Sequence, residues 1–216
     1  MRLLSQRTET CLTVALLSVA LTATAQEPGT ANGEWPSYGG NLSHDRYSPL
    51  DQITAENFSE MELAWRFNTD NLGPRPERNF QSTPLMVNGI LYTTAGSRRA
   101  AVALDAETGE LLWMHRLDEG ERGEEAPRRL SGRGLTYWDD GGAGRIFYVT
   151  PGYQLIALDA ATGAERWRRD RDEGTNWSTP FVWQHEARTE LVTAGSDQVR
   201  SYDLDGNELW HFRGLN

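Results

Sequence analysis

Short apolar or alternating runs, each bounded by turn residues, recur along this chain and predict β-strands rather than helices. Leu85-Met86-Val87 and Ile90-Leu91-Tyr92 flank Asn88-Gly89, a pair suited to the positive φ angles of a two-residue hairpin turn. Arg145-Ile146-Phe147-Tyr148-Val149 follows the turn cluster Asp139-Asp140-Gly141-Gly142, and Glu190-Leu191-Val192-Thr193 precedes Gly195-Ser196. Tyr153-Gln154-Leu155-Ile156-Ala157-Leu158 reads as another strand. Helical periodicity is confined to a weak stretch, Ala55 to Leu63. The predicted class is all-β.

The strands belong to a repeat. Ala103-Leu104-Asp105-Ala106-Glu107-Thr108-Gly109-Glu110-Leu111-Leu112-Trp113 aligns with Ala157-Leu158-Asp159-Ala160-Ala161-Thr162-Gly163-Ala164-Glu165-Arg166-Trp167. A third copy, one residue shorter, is Ser201-Tyr202-Asp203-Leu204-Asp205-Gly206-Asn207-Glu208-Leu209-Trp210, and Ala64-Trp65 resembles the tail of a fourth. In each copy the Asp can accept hydrogen bonds from amides just ahead of it, and the Gly supplies a positive φ, so a strand, a tight turn and a second strand follow. The closing Trp is large and flat enough to bury against a neighbouring sheet. The tryptophans that close the copies, Trp65, Trp113, Trp167 and Trp210, lie 48, 54 and 43 residues apart, a period typical of four-stranded propeller blades. About three blades are expected over residues 67–116, 130–170 and 176–214, within a propeller region 67–216, after an N-terminal entry segment and closing-blade strand at 26–66. Residues 116–133, charged and turn-rich, read as a surface loop.

Composition narrows the chemistry. The chain has 216 residues and a net charge of −10, and all 21 basic side chains are arginine. Without lysine, P-loop ATPases and Schiff-base enzymes are excluded. The acidic balance argues against a nucleic-acid partner. Arg2 and Arg7 precede the apolar run Leu12–Leu21 and then Ala23-Thr24-Ala25, a pattern of a signal peptide over residues 1–25, cleaved after Ala25. An uncleaved anchor is the other reading. Export to the periplasm or medium is therefore expected, with no transmembrane anchor after cleavage. The single cysteine, Cys11, falls inside that segment, so no disulfide is expected in the mature protein.

The Asp-x-x-Thr-Gly-x-x-x-Trp repeat resembles the tryptophan-docking motif of quinoprotein propellers, whose cofactor is pyrroloquinoline quinone (PQQ). Trp35-Pro36-Ser37-Tyr38-Gly39-Gly40, Arg46-Tyr47-Ser48-Pro49-Leu50-Asp51-Gln52-Ile53, Asn57 to Trp65, and Arg133-Gly134-Leu135-Thr136-Tyr137-Trp138 are similar to the N-terminal part of PQQ-dependent alcohol and sugar dehydrogenases. After about residue 170, Ser178-Thr179-Pro180-Phe181-Val182-Trp183 and Val199 to Gly206 look more like non-catalytic PQQ-like repeat propellers, such as the outer-membrane-assembly propeller. The resemblance implies a partial β-propeller of the eight-bladed quinoprotein type, acting on an alcohol, sugar or polyol.

In that family an Arg before a Gly contacts a PQQ carboxylate, which makes Arg133 the matching candidate; a loop arginine in a surface ion pair is the alternative. Gln81 stands where many members have a Glu near the quinone. Pro127 and Arg128 occupy the places of a vicinal disulfide found in some members. The family's Ca²⁺ ion accompanies the complete protein. Here Asp197, Gln198 and Val199 follow Thr193-Ala194-Gly195-Ser196, with no Glu in register, and no blade bearing the family's catalytic Asp is present. No catalytic residue and no metal ligand is therefore assigned. His44, His115, His185 and His211 show no metal-pair spacing. Asp203-Leu204-Asp205-Gly206-Asn207 reads as the repeat's turn rather than a calcium loop. Three blades alone would form an open arc, its last face bearing Trp210 and offering a surface for self-association or a protein partner. The competing functional reading is a non-catalytic propeller module that binds proteins.

Overall fold

A computed structural model describes residues 29–41, 43–73, 80–127, 134–174 and 178–214. The predicted signal peptide lies outside them. Among the described residues, twelve strands form three antiparallel four-stranded sheets, each connected in simple up-and-down order. The first holds β1 (Leu85–Val87), β2 (Ile90–Ala95), β3 (Ala100–Asp105) and β4 (Leu111–His115). The second holds β5 (Thr136–Trp138), β6 (Arg145–Val149), β7 (Leu155–Asp159) and β8 (Glu165–Arg169). The third holds β9 (Phe181–His185), β10 (Arg188–Ala194), β11 (Gln198–Tyr202) and β12 (Glu208–Arg213). The class is all-β, and the architecture is part of a propeller.

The core lies between sheets rather than inside any one of them. Strands place successive side chains on opposite faces, and the second sheet uses both. Ile146, Tyr148, Ile156 and Leu158 pack toward Leu85, Ala103 and Trp113 of the first sheet. Phe147, Val149, Leu155 and Ala157 pack toward Leu191 and Tyr202 of the third. Burial on both faces is why β6 and β7 read as nearly continuous apolar runs. A one-residue register slip in either strand would exchange the two interfaces.

The repeat explains how the sheets join. Asp159 Oδ1 accepts from the amides of Ala161 and Thr162 at 3.1 and 3.0 Å and from the Thr162 hydroxyl at 2.9 Å. Asp105 does the same with Glu107 and Thr108. These turns present a carbonyl and a bare glycine to the preceding sheet's indole. Trp65, Trp113 and Trp167 donate Nε1–H to the carbonyls of Ala106, Ala160 and Leu204 at 3.1, 2.9 and 2.8 Å. Their rings lie against Gly109, Gly163 and Gly206, where a Cβ would approach the indole to 2.5, 2.6 and 2.9 Å. The third copy keeps this geometry despite its shorter turn. A bulge recurs at the same place in each repeat, at Ala103/Leu104, Ala157/Leu158 and Ser201/Tyr202.

Three expectations need correction. The loop at 116–133 contains a short helix, α1 (Gly120–Glu125), among its described residues. It is clamped from both sides: Glu119 accepts from the Gly152 amide at 2.7 Å and from the Thr150 hydroxyl, while Arg122 donates to the carbonyls of Gly152, at 2.5 Å, and Arg171. The helical tendency at 55–63 yields only one 3₁₀ turn, Phe58–Glu60. Trp210 does not stand free on the last face. It is partly buried, and its Nε1–H donates at 2.7 Å to Glu190 of its own sheet. Phe181, Trp183 and Phe212 are the exposed large apolar groups there.

Candidate functional site

The inner strands β1, β5 and β9 carry the segments that face the axis of a propeller. Gln81 lies just before β1, exposed and with no hydrogen bond among the described residues. Beside it, Ser82 accepts from the Thr93 hydroxyl at 3.3 Å. Gly134 precedes β5 and is buried against Thr179, whose Oγ1 would lie 2.7 Å from an added Cβ. Glycine there lets the second and third sheets close, a contact reinforced by the Thr136 hydroxyl donating to the Pro180 carbonyl. Ser178 Oγ bonds both the carbonyl and the amide of Ala194, at 2.7 and 3.1 Å. Arg133 lies outside the described residues.

Loops at the same end of the sheets are tied across blades. Arg99 is buried, with a positive φ of 52°, and its guanidinium donates to the Val149 carbonyl at 2.9 Å. Further round, Arg171 and Glu173 form an ion pair of 3.3 Å with both side chains fully buried. Burial pushes the Glu173 carboxyl above its usual range while Arg171 pulls it down. Gly195 leaves the room this carboxylate needs. The run Asp170 to Gly174 lies where the resemblance is expected to change. Its arginine and glutamate are core residues between the sheets, and no local pattern marks them as such.

A cofactor with three carboxylates needs cationic or hydrogen-bonding partners. Among the described residues Gln81, exposed and without a hydrogen-bond partner, has an amide free to meet such a group. The described residues do not fit Ca²⁺, because no three His, Cys, Asp or Glu side chains among them cluster as ligands. Among the described residues no helix is long and apolar enough to cross a membrane.

Radial sheets locked by one indole per blade define a quinoprotein-type propeller. Residues 35–174, more than half of the chain, match the family model described as PQQ, glucose/ethanol/alcohol dehydrogenase, beta-propeller domain, and the chain belongs to that family. It is 40% identical over 147 residues to an alcohol dehydrogenase (quinone) dehydrogenase subunit of Gluconobacter oxydans, covering 67% of this chain and 18% of that protein. It is 33% identical over 202 residues to quinohemoprotein alcohol dehydrogenase ADH IIB of Pseudomonas putida, covering 89% and 27%. A europium-containing methanol dehydrogenase superposes with a TM-score of 0.68 at 27% identity, covering 88% of this chain and 33% of that one. The chain thus spans about a fifth to a third of the length of these relatives. The last two likenesses are too long to stop at residue 174, so the dehydrogenase resemblance reaches beyond the matched domain.

Proposed function

We propose that this chain is the N-terminal part of a periplasmic PQQ-dependent dehydrogenase that oxidises an alcohol, sugar or polyol. The observation that carries this reading is the triple indole dock, joined to the family match over residues 35–174. The relatives' names add the substrate class, alcohols. Bound PQQ would supply the two-electron acceptor. Gln81 would hydrogen-bond its rim and Arg133 would pair with a carboxylate.

The 216-residue chain by itself is proposed to be inactive. An axial quinone touches most blades of a ring, and three blades offer only a fraction of those contacts. Titration of the purified chain with PQQ and Ca²⁺, followed by tryptophan quenching, tests this. No saturation is expected in the micromolar range, and the chain should not reduce a dye with ethanol or glucose as donor. Saturable micromolar binding would overturn the inactivity. Mass spectrometry of the exported protein, expected to begin at Gln26, tests the signal peptide.

A further inference from the structure

His115 closes β4 of the first sheet and reaches across the interface to the second. Its Nδ1 lies 2.8 Å from the Tyr148 hydroxyl of β6, and its Nε2 lies 3.3 Å from Glu165 Oε2 of β8. Arg168 holds the same carboxylate twice, Nε to Oε1 at 2.8 Å and Nη2 to Oε2 at 2.6 Å. Guanidinium, carboxylate, imidazole and phenol thus stand in one line.

The docking repeat does not demand this line. His115 comes two residues after Trp113, and Arg169 comes two residues after Trp167. Tyr148 follows Phe147, whose ladder runs through Ala157 to Trp167. In the third sheet the same ladder runs from Val192 through Ser201 to Trp210, so Thr193 stands in the place of Tyr148. At that second interface Arg169 donates to the carbonyls of Gly206 and Asp205, at 2.7 and 3.2 Å. The sheets close there with neither an imidazole nor a phenol at these positions.

The partners fix the protons. The two Arg168 bonds hold the Glu165 carboxyl below its usual range, so it is ionised and only accepts. Burial lowers the His115 pKa, so its ring is neutral and carries one N–H. That hydrogen sits on Nε2, facing the carboxylate. Nδ1 then keeps its lone pair, and the Tyr148 hydroxyl donates to it. Tyr148 is 1% exposed, and burial pushes its ionisation up, so the phenol holds its proton. Loss of an electron alone would leave a positive ring in a water-poor site, which is costly. Handing the proton to Nδ1 leaves a neutral ring instead, and the new imidazolium is already paired with Glu165.

We propose that Tyr148 is a redox-active tyrosine, which gives one electron to an oxygen-centred radical at the surface while its proton passes to His115. The phenol O–H bond breaks and an N–H bond forms on Nδ1. The surface radical gains the electron, takes a proton from water and becomes a closed-shell product. His115 is the proton acceptor, and Glu165 is a positioning residue that sets its tautomer. The His115 side chain is 14% exposed, so the phenol lies one ring beneath the surface, sheltered from direct collision. The site does not rest on the quinone reading, and PQQ binding or its failure decides nothing about it.

The test is flash oxidation of the 216-residue chain by photogenerated tris(bipyridine)ruthenium(III), a one-electron oxidant, read by electron paramagnetic resonance. A neutral tyrosyl signal is expected at neutral pH and should be lost in Tyr148→Phe. His115→Gln keeps an acceptor toward the phenol, the amide oxygen, but offers no base. The Tyr148 signal should be lost there too, with far-UV circular dichroism unchanged. In the unsubstituted chain the radical should form more slowly in deuterium oxide, because the transferred proton exchanges with solvent. Absence of a tyrosyl signal, or an undiminished one in Tyr148→Phe, would overturn the proposal. So would an undiminished Tyr148 signal in folded His115→Gln, or equal rates of formation in the two solvents.

Discussion

Gly163→Ala tests whether the indole docks hold the sheets together. Gly163 has φ +70°, and an added Cβ would meet Trp113 Cδ2 and Cε3 at 2.6 Å. Both atoms belong to a rigid, buried ring that already donates to Ala160, so neither partner can yield cheaply. Gly89 is the internal control. Its φ is +78°, nearly the same, yet nothing lies within 4 Å of its added Cβ. Alanine at either site bears the left-handed backbone cost, about 1–2 kcal/mol. Only Gly163→Ala adds overpacking, about 1–3 kcal/mol. Gly89→Ala should therefore cost about 1–2 kcal/mol and Gly163→Ala about 2–5 kcal/mol. Urea denaturation monitored by tryptophan fluorescence reads both values, and Trp113 should shift to a wetter environment only in the second variant. Equal losses for the two variants, within about 0.5 kcal/mol, would refute the claim that glycine is required by the dock rather than by the turn.

Glu190 is buried and accepts from Trp210, Arg188 and His185 at 2.7, 2.6 and 3.1 Å, and from Ser201. Burial works to raise its pKa, but those hydrogen bonds prevail and hold it down at about 2. A depressed carboxyl pKa contributes stability that is complete above the unfolded value and disappears as pH falls through the folded one. The third sheet should accordingly lose stability from about pH 5 down to about 2, and Glu190→Gln should flatten that part of a pH–stability curve. Glu190→Ala, which strands the Ser201 and Trp210 donors, should cost about 2–4 kcal/mol at neutral pH by chemical denaturation. His115 bonds the Tyr148 hydroxyl at 2.8 Å and Glu165 at 3.3 Å across the first interface, and burial lowers its pKa against the opposing pull of Glu165. The neutral ring is the folded form, so acidification below the ordinary histidine range should loosen that interface, seen as faster amide exchange in β4 and β8; His115→Phe should remove the dependence. Glu119→Ala removes the clamp on α1 and should expose Arg116 and Arg122 to trypsin, while global stability falls by only about 1 kcal/mol.

Much of the fold is local chemistry and could be read in advance. The Asp-x-x-Thr-Gly turns form from contacts within five residues, so their Asp and Gly announce them in any context. The Trp that follows each turn sits at a fixed strand position, which made the period and the propeller visible. Gln81 is a candidate only through resemblance, since an exposed glutamine with no partner carries no local signal. The long-range choices were not legible. Helix α1 has no amphipathic pattern in Gly-Glu-Arg-Gly-Glu-Glu and is ordered by Thr150, Gly152 and Arg171, which are distant in sequence.

Sequence alone therefore settled what neighbouring residues do to one another: strands, turns, and an indole once per sheet. Tertiary structure alone decided which charged groups are removed from water. Arg171 and Glu173 look like a solvated loop and are buried, and Gly195, in the turn just after β10, leaves space for the carboxylate. Trp210 looked like a free docking ring and is bonded to Glu190, twenty residues earlier, because the sheet order β10-β11-β12 brings that carboxylate within reach. Desolvation and pairing depend on what the folded chain places opposite a group, and a residue's own type and neighbours do not carry that information.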